Sequence, residues 1–146
     1  MNGNKMERVR IVLGMICGLT VGFSLMALLE MLGHVVYPPP SDIDFQNLEM
    51  AKEVIRGSYT GERIFLIFSY AVTSFVAGFI TRLISKDSAA WPVFGVTGAL
   101  LGVASSTILH HGHPTWFIVI GLFIFIPSAG LGSELMMNLR KKFSKK

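Results

Sequence analysis

Glu30-Met-Leu-Gly-His34-Val-Val-Tyr37-Pro-Pro-Pro40 closes the first long apolar run of the chain, which opens at Val9. Glu30 and His34 stand four residues apart, so a helix projects both from one side. The three prolines then stop that helix, because they donate no backbone hydrogen bond and force extended geometry. The run from Val9 to Val36 is longer than the roughly 20 residues needed to cross a bilayer, so it tilts or protrudes. It follows Lys5, Arg8 and Arg10 as a signal peptide would. It is nevertheless too long for an apolar signal core of about 7–15 residues, and no small-x-small cleavage site follows it. We read it as a retained first span.

Working outward, three more apolar runs follow: Ile64 to Ile84, Trp91 to about Leu109, and Trp116 to about Leu139. Thr60 offers an N-cap ahead of the second run, and Trp91-Pro92 suits an interfacial helix start. The pattern predicts an all-α integral membrane four-helix bundle, a single membrane domain over residues 1–146. Residues 41–62 interrupt it with polar sequence. Within them, 42–56 reads as a short periplasmic amphipathic helix, with Ser41, Asp42 and Asp44 as cap candidates. Phe45, Leu48, Ala51 and Ile55 share its apolar face, and Gly57 ends it.

Composition agrees. Of 146 residues, 51% are hydrophobic and 15% charged, against roughly 25% charged in a soluble domain. The net charge of +4 argues little for nucleic acid, because the basic residues gather at span ends, where membrane topology requires them. The one cysteine, Cys17, lies within the first run. A single thiol makes no internal disulfide, which removes thiol–disulfide exchange as an activity.

Orientation follows from Lys and Arg near the span ends. With both termini inside, the inner flanks carry Lys5, Arg8, Arg10, Arg82, Lys86, Arg140, Lys141, Lys142, Lys145 and Lys146. The outer segments carry only Lys52, Arg56 and Arg63. The positive-inside rule therefore places both termini in the cytoplasm, and the expected location is a bacterial inner membrane.

Lipid tails are as apolar as leucine, so spans associate through close backbone approach and polar contacts. Small residues recur at four-residue spacing in three spans. They are Gly14, Gly18 and Gly22 in the first, Ser69, Thr73, Ala77 and Thr81 in the second, and Gly98, Gly102 and Ser106 in the third. They suit packing within one bundle, or else a homo-oligomer seam or another membrane protein. A short pattern also recurs, Ala77-Gly-Phe-Ile-Thr81-Arg82-Leu83 beside Ala129-Gly-Leu-Gly-Ser133-Glu134-Leu135. Read as a weak parallel repeat, it puts Arg82 and Glu134 at matching inner positions and predicts an ion pair between them. Pro127 should kink the fourth span.

The same topology gathers Glu30, His34, His110, His111 and His113 at the outer end. Imidazole with carboxylate suits a divalent transition metal, Glu30, His34 and His113 being the candidate ligands. It equally suits proton or substrate handling, or a structural lock on the bundle mouth. No Gly-rich phosphate loop, Ser/His/Asp set or intramembrane aspartate pair accompanies these residues.

Glu30…Gly33-His34…Pro38-Pro-Pro40, followed by His113-Pro114-x-Trp116, resembles a pattern in small bacterial four-span inner-membrane proteins. That group has no agreed activity, so the resemblance implies only that the outer Glu/His/Pro cluster matters. The expectation is a non-catalytic inner-membrane protein, an accessory or oligomeric packing subunit. The alternative is a small ion- or proton-coupled carrier using the outer cluster. A metal-dependent enzyme facing the periplasm ranks last, because the outer loops are small.

Overall fold

The computed structural model describes residues 3–38, 47, 49–50, 60–86, 91–109 and 115–144. Four helices make it up: α1 (Gly3–Val36), α2 (Thr60–Ser85), α3 (Trp91–Leu109) and α4 (Thr115–Phe143). No strand occurs among the described residues. The expected helix over 42–56 falls almost wholly outside them. Of that segment, Asn47 Oδ1 accepts the backbone N–H of Glu49 at 3.1 Å, with Met50 N–H at 3.5 Å, the bonding of a helix N-cap.

Local chemistry accounts for the helix ends. α1 stops where the prolines begin, and Tyr37 N–H donates to Gly33 O at 2.7 Å to close the last turn. α2 stops at Lys86, whose φ of 56° is the left-handed conformation that ends many helices. Two arginines then satisfy carbonyls at this end. Arg82 Nη1 donates to Lys86 O at 3.2 Å, and Arg140 Nη2 reaches across from α4 to Leu83 O at 3.1 Å. Cations are favoured at a helix C-terminus by its dipole. α4 continues as helix through Pro127.

Register reveals the topology. A Cβ built on Gly18 meets Ala77 and Thr81, on Gly22 meets Ala77, and on Gly33 meets Phe65. Numbers on α2 fall as those on α1 rise, so the two helices are antiparallel. Between α2 and α4 the offset is constant instead. Ser74 bonds Phe125 and Arg82 bonds Ser133, each pair 51 residues apart. α2 and α4 are therefore parallel. α2 lies at the centre, with α1 on one side and α4 on the other. α3 lies mainly on α4, with smaller contacts to α2 and α1, and α1 and α4 do not meet among the described residues.

Three helices are long and apolar enough to cross a membrane: Lys5–Val36, Thr60–Ser85 and Thr115–Phe143. α3 has 19 residues, roughly 28 Å of helix, and its described apolar stretch is Phe94–Val103. Large apolar side chains are exposed in numbers that a water-soluble bundle does not show, and hydroxyl groups are buried. Buried side chains include Ser69, Thr73, Ser74, Thr81, Ser85, Thr97 and Ser133, while Val9, Val12, Ile16, Leu28, Val35, Phe68, Val103, Phe123 and Leu131 are exposed. An apolar knot of Met26, Tyr70, Ala77, Leu101, Phe117 and Phe125 joins all four helices.

Candidate functional site

Glu30 lies on the face of α1 that α2 covers. Gly14, Gly18, Gly22 and Met26 precede it at four-residue steps, and all four are buried. Extended along the helix pair, the register that sets Gly22 on Ala77 and Gly33 on Phe65 puts Glu30 at the level of Ser69 and Tyr70. The carboxyl is half-buried there. It is close enough for its charge to interact with Tyr70 across the seam and with His34 one turn outward. His34 itself is exposed.

Hydroxyls of α2 surround this level. Ser69 Oγ donates to Phe65 O at 2.9 Å, which leaves its lone pairs free to accept. Tyr70 is buried, stacked on Phe125 with ring centroids 5.3 Å apart and tilted towards Phe117 at 6.5 Å. One turn deeper, opposite Met26, Thr73 Oγ1 is buried without a hydrogen-bond partner. Beyond it the seam closes. Thr81 Oγ1 donates to Ala77 O at 2.8 Å, and a Cβ on Gly18 would run into both residues. The polar residues around Glu30 therefore belong to the outer half of the α1–α2 interface.

Tyr37 shuts the outer end of the same seam. Its hydroxyl lies 2.9 Å from where a Cβ on Gly61 would stand, and its ring tilts over Phe65 at 6.5 Å. Trp116 is exposed and meets Phe117 edge-on. His110, His111 and His113 lie outside the described residues. Among the described residues no three His, Cys, Asp or Glu side chains assemble as a metal site. Glu30 and His34 alone offer two ligands, short of the four of a structural zinc site.

At the inner end, where the sequence predicts an ion pair between Arg82 and Glu134, Arg82 makes contacts to two other helices. Arg82 is buried, its guanidinium 4.4 Å from the centre of the Phe94 ring, and its Nε–H donates to Ser133 Oγ at 3.2 Å. Glu134, the next residue, is exposed. Turning from residue 133 to 134 rotates a side chain about 100° around the helix, enough to carry the carboxylate off the α2-facing side. Arg82 thus ties α2 to α3 through an aromatic face and to α4 through a hydroxyl.

The glycines divide by role. Gly14, Gly18 and Gly22 seat α1 on α2, and Gly98 and Gly102 seat α3 on Phe125 of α4. All five are used within the chain. Among the described glycines the tightest sites are two others, Gly78 against the Ala129 carbonyl and Gly132 against the Phe75 carbonyl. Both lie inside the recurring Ala-Gly pattern, which reads as a repeat in sequence. In three dimensions its two copies are the halves of one crossing, reinforced by Ser74 Oγ donating to Phe125 O at 2.5 Å. Alternation of Gly78 and Gly132 with small neighbours was the available signal, but nothing local says that the two segments touch.

No family model, curated protein or solved structure matches this chain.

Proposed function

We propose that this chain is a four-span integral protein of a bacterial inner membrane, with both termini cytoplasmic. In this reading it serves as a non-catalytic accessory or packing subunit. The observation that carries the reading is the distribution of side chains: hydroxyls, glycines and one arginine share the interior with a small apolar knot, while most of the large aliphatic side chains face outward. In water such a surface would far exceed the few hundred Å2 of contiguous apolar patch that soluble monomers expose. In lipid it costs nothing, and the interior small and hydroxylated residues hold the helices together. Three glycine-lined interfaces with backbone against backbone support a rigid support element. Fractionation with an alkaline carbonate wash tests the first half. The protein is expected to stay with the membranes, and release into the supernatant would overturn the reading.

A carrier remains the second reading, favoured by one observation, the half-buried Glu30 facing Ser69 and Tyr70 across the α1–α2 seam. Acids inside spans commonly mark proton or ion paths. Proteoliposomes loaded with a pH-sensitive dye separate the two. The accessory reading expects no proton flux above empty vesicles. Flux that disappears in Glu30→Gln would replace it with the carrier.

A further inference from the structure

Thr73 Oγ1 is fully buried and makes no hydrogen bond. It belongs to the face of α2 that carries Ala77 and Thr81, which meet Gly18 and Gly22, so it faces α1. Glu30 stands on the opposite wall one turn outward, half-buried, at the level of Ser69 and Tyr70. In a helix the Cα–Cβ bond leans toward the N-terminus. Because α1 and α2 are antiparallel, the two leans oppose. Glu30 leans inward to the turn of Met26, and Thr73 leans outward to the turn of Ser69. The acid and the hydroxyl therefore converge on one level of the seam, yet no hydrogen bond joins them, since Thr73 Oγ1 has none. Ser69 Oγ lies on the same wall, with its proton committed to Phe65 O at 2.9 Å, so it can only offer lone pairs.

We propose that Glu30, Ser69 and Thr73 bind one alkali cation, sodium, in the outer half of the α1–α2 seam. The proposal rests on the membrane reading above and goes beyond it, since an ion held here ties α1 to α2 whether or not it is ever carried across. Donor type and charge select the occupant. The converging donors are all oxygens, which suit a hard cation rather than a transition metal. One carboxylate brings one negative charge, so a monovalent ion leaves the site neutral in an apolar medium, whereas a divalent ion leaves it charged. A proton would neutralise Glu30 but leave Thr73 Oγ1 bare. A water would satisfy Thr73 but leave the carboxylate its charge. The cation answers both. It enters from the outer side, where Glu30 is half-exposed and His34 exposed, and water from that side completes its shell.

Thermal unfolding of the full-length protein in detergent micelles, in sodium chloride or choline chloride at equal ionic strength, tests the site. The melting temperature should rise by about 3–6 °C for each tenfold of sodium beyond half-saturation and stay flat in choline. Glu30→Gln and Thr73→Val, which removes one oxygen at constant shape, should each abolish that rise. Thr73→Ser restores the hydroxyl and should keep it. In choline chloride Thr73→Val should melt no lower than the parent, which separates lost binding from lost folding. A rise that persists in Glu30→Gln and Thr73→Val would put the ion elsewhere and overturn the site. Stability that follows pH but is the same in both salts would overturn sodium in favour of a proton on Glu30. Equal melting in both salts, for a protein that stays in carbonate-washed membranes, would overturn the ion while leaving the membrane reading intact. Release by carbonate would overturn both.

Discussion

Thr73 and Ser74 are neighbours on α2 that face different helices, and their hydroxyls have opposite fates. Ser74 Oγ crosses to the Phe125 carbonyl of α4, whereas Thr73 Oγ1 is buried at the level of Met26 with no partner. An unpaired buried hydroxyl costs about 1–3 kcal/mol in soluble proteins. In a membrane the separated helices also leave it in an apolar medium, so less is recovered by deleting it. Interhelical hydrogen bonds in lipid average about 0.6 kcal/mol for the same reason. Thr73→Val should therefore be neutral to stabilising, by at most about 1 kcal/mol. Ser74→Ala should destabilise by about 0.5–1.5 kcal/mol. Denaturant titration in mixed micelles ranks the two, and a Thr73→Val variant less stable than Ser74→Ala would show that Thr73 holds an unseen partner.

Among elements, the α2–α4 crossing governs, because its contacts are backbone on backbone. A methyl group on Gly132 would collide with the Phe75 carbonyl, and one on Gly78 with that of Ala129. Neither carbonyl yields without separating two helices. Gly33 is different, since its added methyl would stand 3.1 Å from the Phe65 ring, which can pivot. Gly95 is different again, with Ile126 Cγ2 at 4.0 Å the nearest atom. The alanine series should follow that order. Gly132→Ala and Gly78→Ala are expected to lose about 2–3 kcal/mol or more through overpacking, and Gly33→Ala under about 1 kcal/mol. Gly95→Ala should gain up to about 1 kcal/mol from helix propensity. Thermal unfolding of the four purified variants measures it, and equal effects at Gly132 and Gly95 would contradict the crossing.

At the scale of the whole molecule, Gly14 near the start of α1 meets Ser85 and Arg140 near the end of α4 reaches Leu83, so these two helix ends lie together at the C-terminal end of α2. The proposed orientation makes that side the cytoplasm. In a Cys17→Ser background, single cysteines at Lys5, Lys86 and Ser144 should react with a membrane-impermeant maleimide only after the inner membrane is opened. A cysteine at Asn47 should react in intact spheroplasts. Labelling of Lys5 and Ser144 from opposite sides would mean that one of the four helices does not cross, α3 being the shortest. The basic inner end contributes to this arrangement twice. Arg82 and Arg140 are absorbed into capping α2, while Arg8 is exposed.

The long apolar helices and several of their ends were legible in the chain, because they depend on local properties. Apolar runs long enough to span predicted 64–84 and 91–109, and the helices run Thr60–Ser85 and Trp91–Leu109. Proline stops α1, as expected from Pro38 onwards. That Glu30 shares the α2-facing side of α1 with Gly14, Gly18 and Gly22 came from the structure, because a four-residue ridge drifts around a straight helix. What the chain could not reveal is which face of each helix turns inward. A span whose surroundings are as apolar as its core has little amphipathic contrast, so valines facing lipid and leucines facing Phe125 look alike in sequence. Only the rotation of each helix about its axis set Gly78 and Gly132 against facing carbonyls, put Arg82 on Ser133 and Phe94, and left Thr73 Oγ1 buried without a hydrogen bond. Rotations of that kind are fixed by contacts between residues some fifty positions apart, and no window of local sequence contains them.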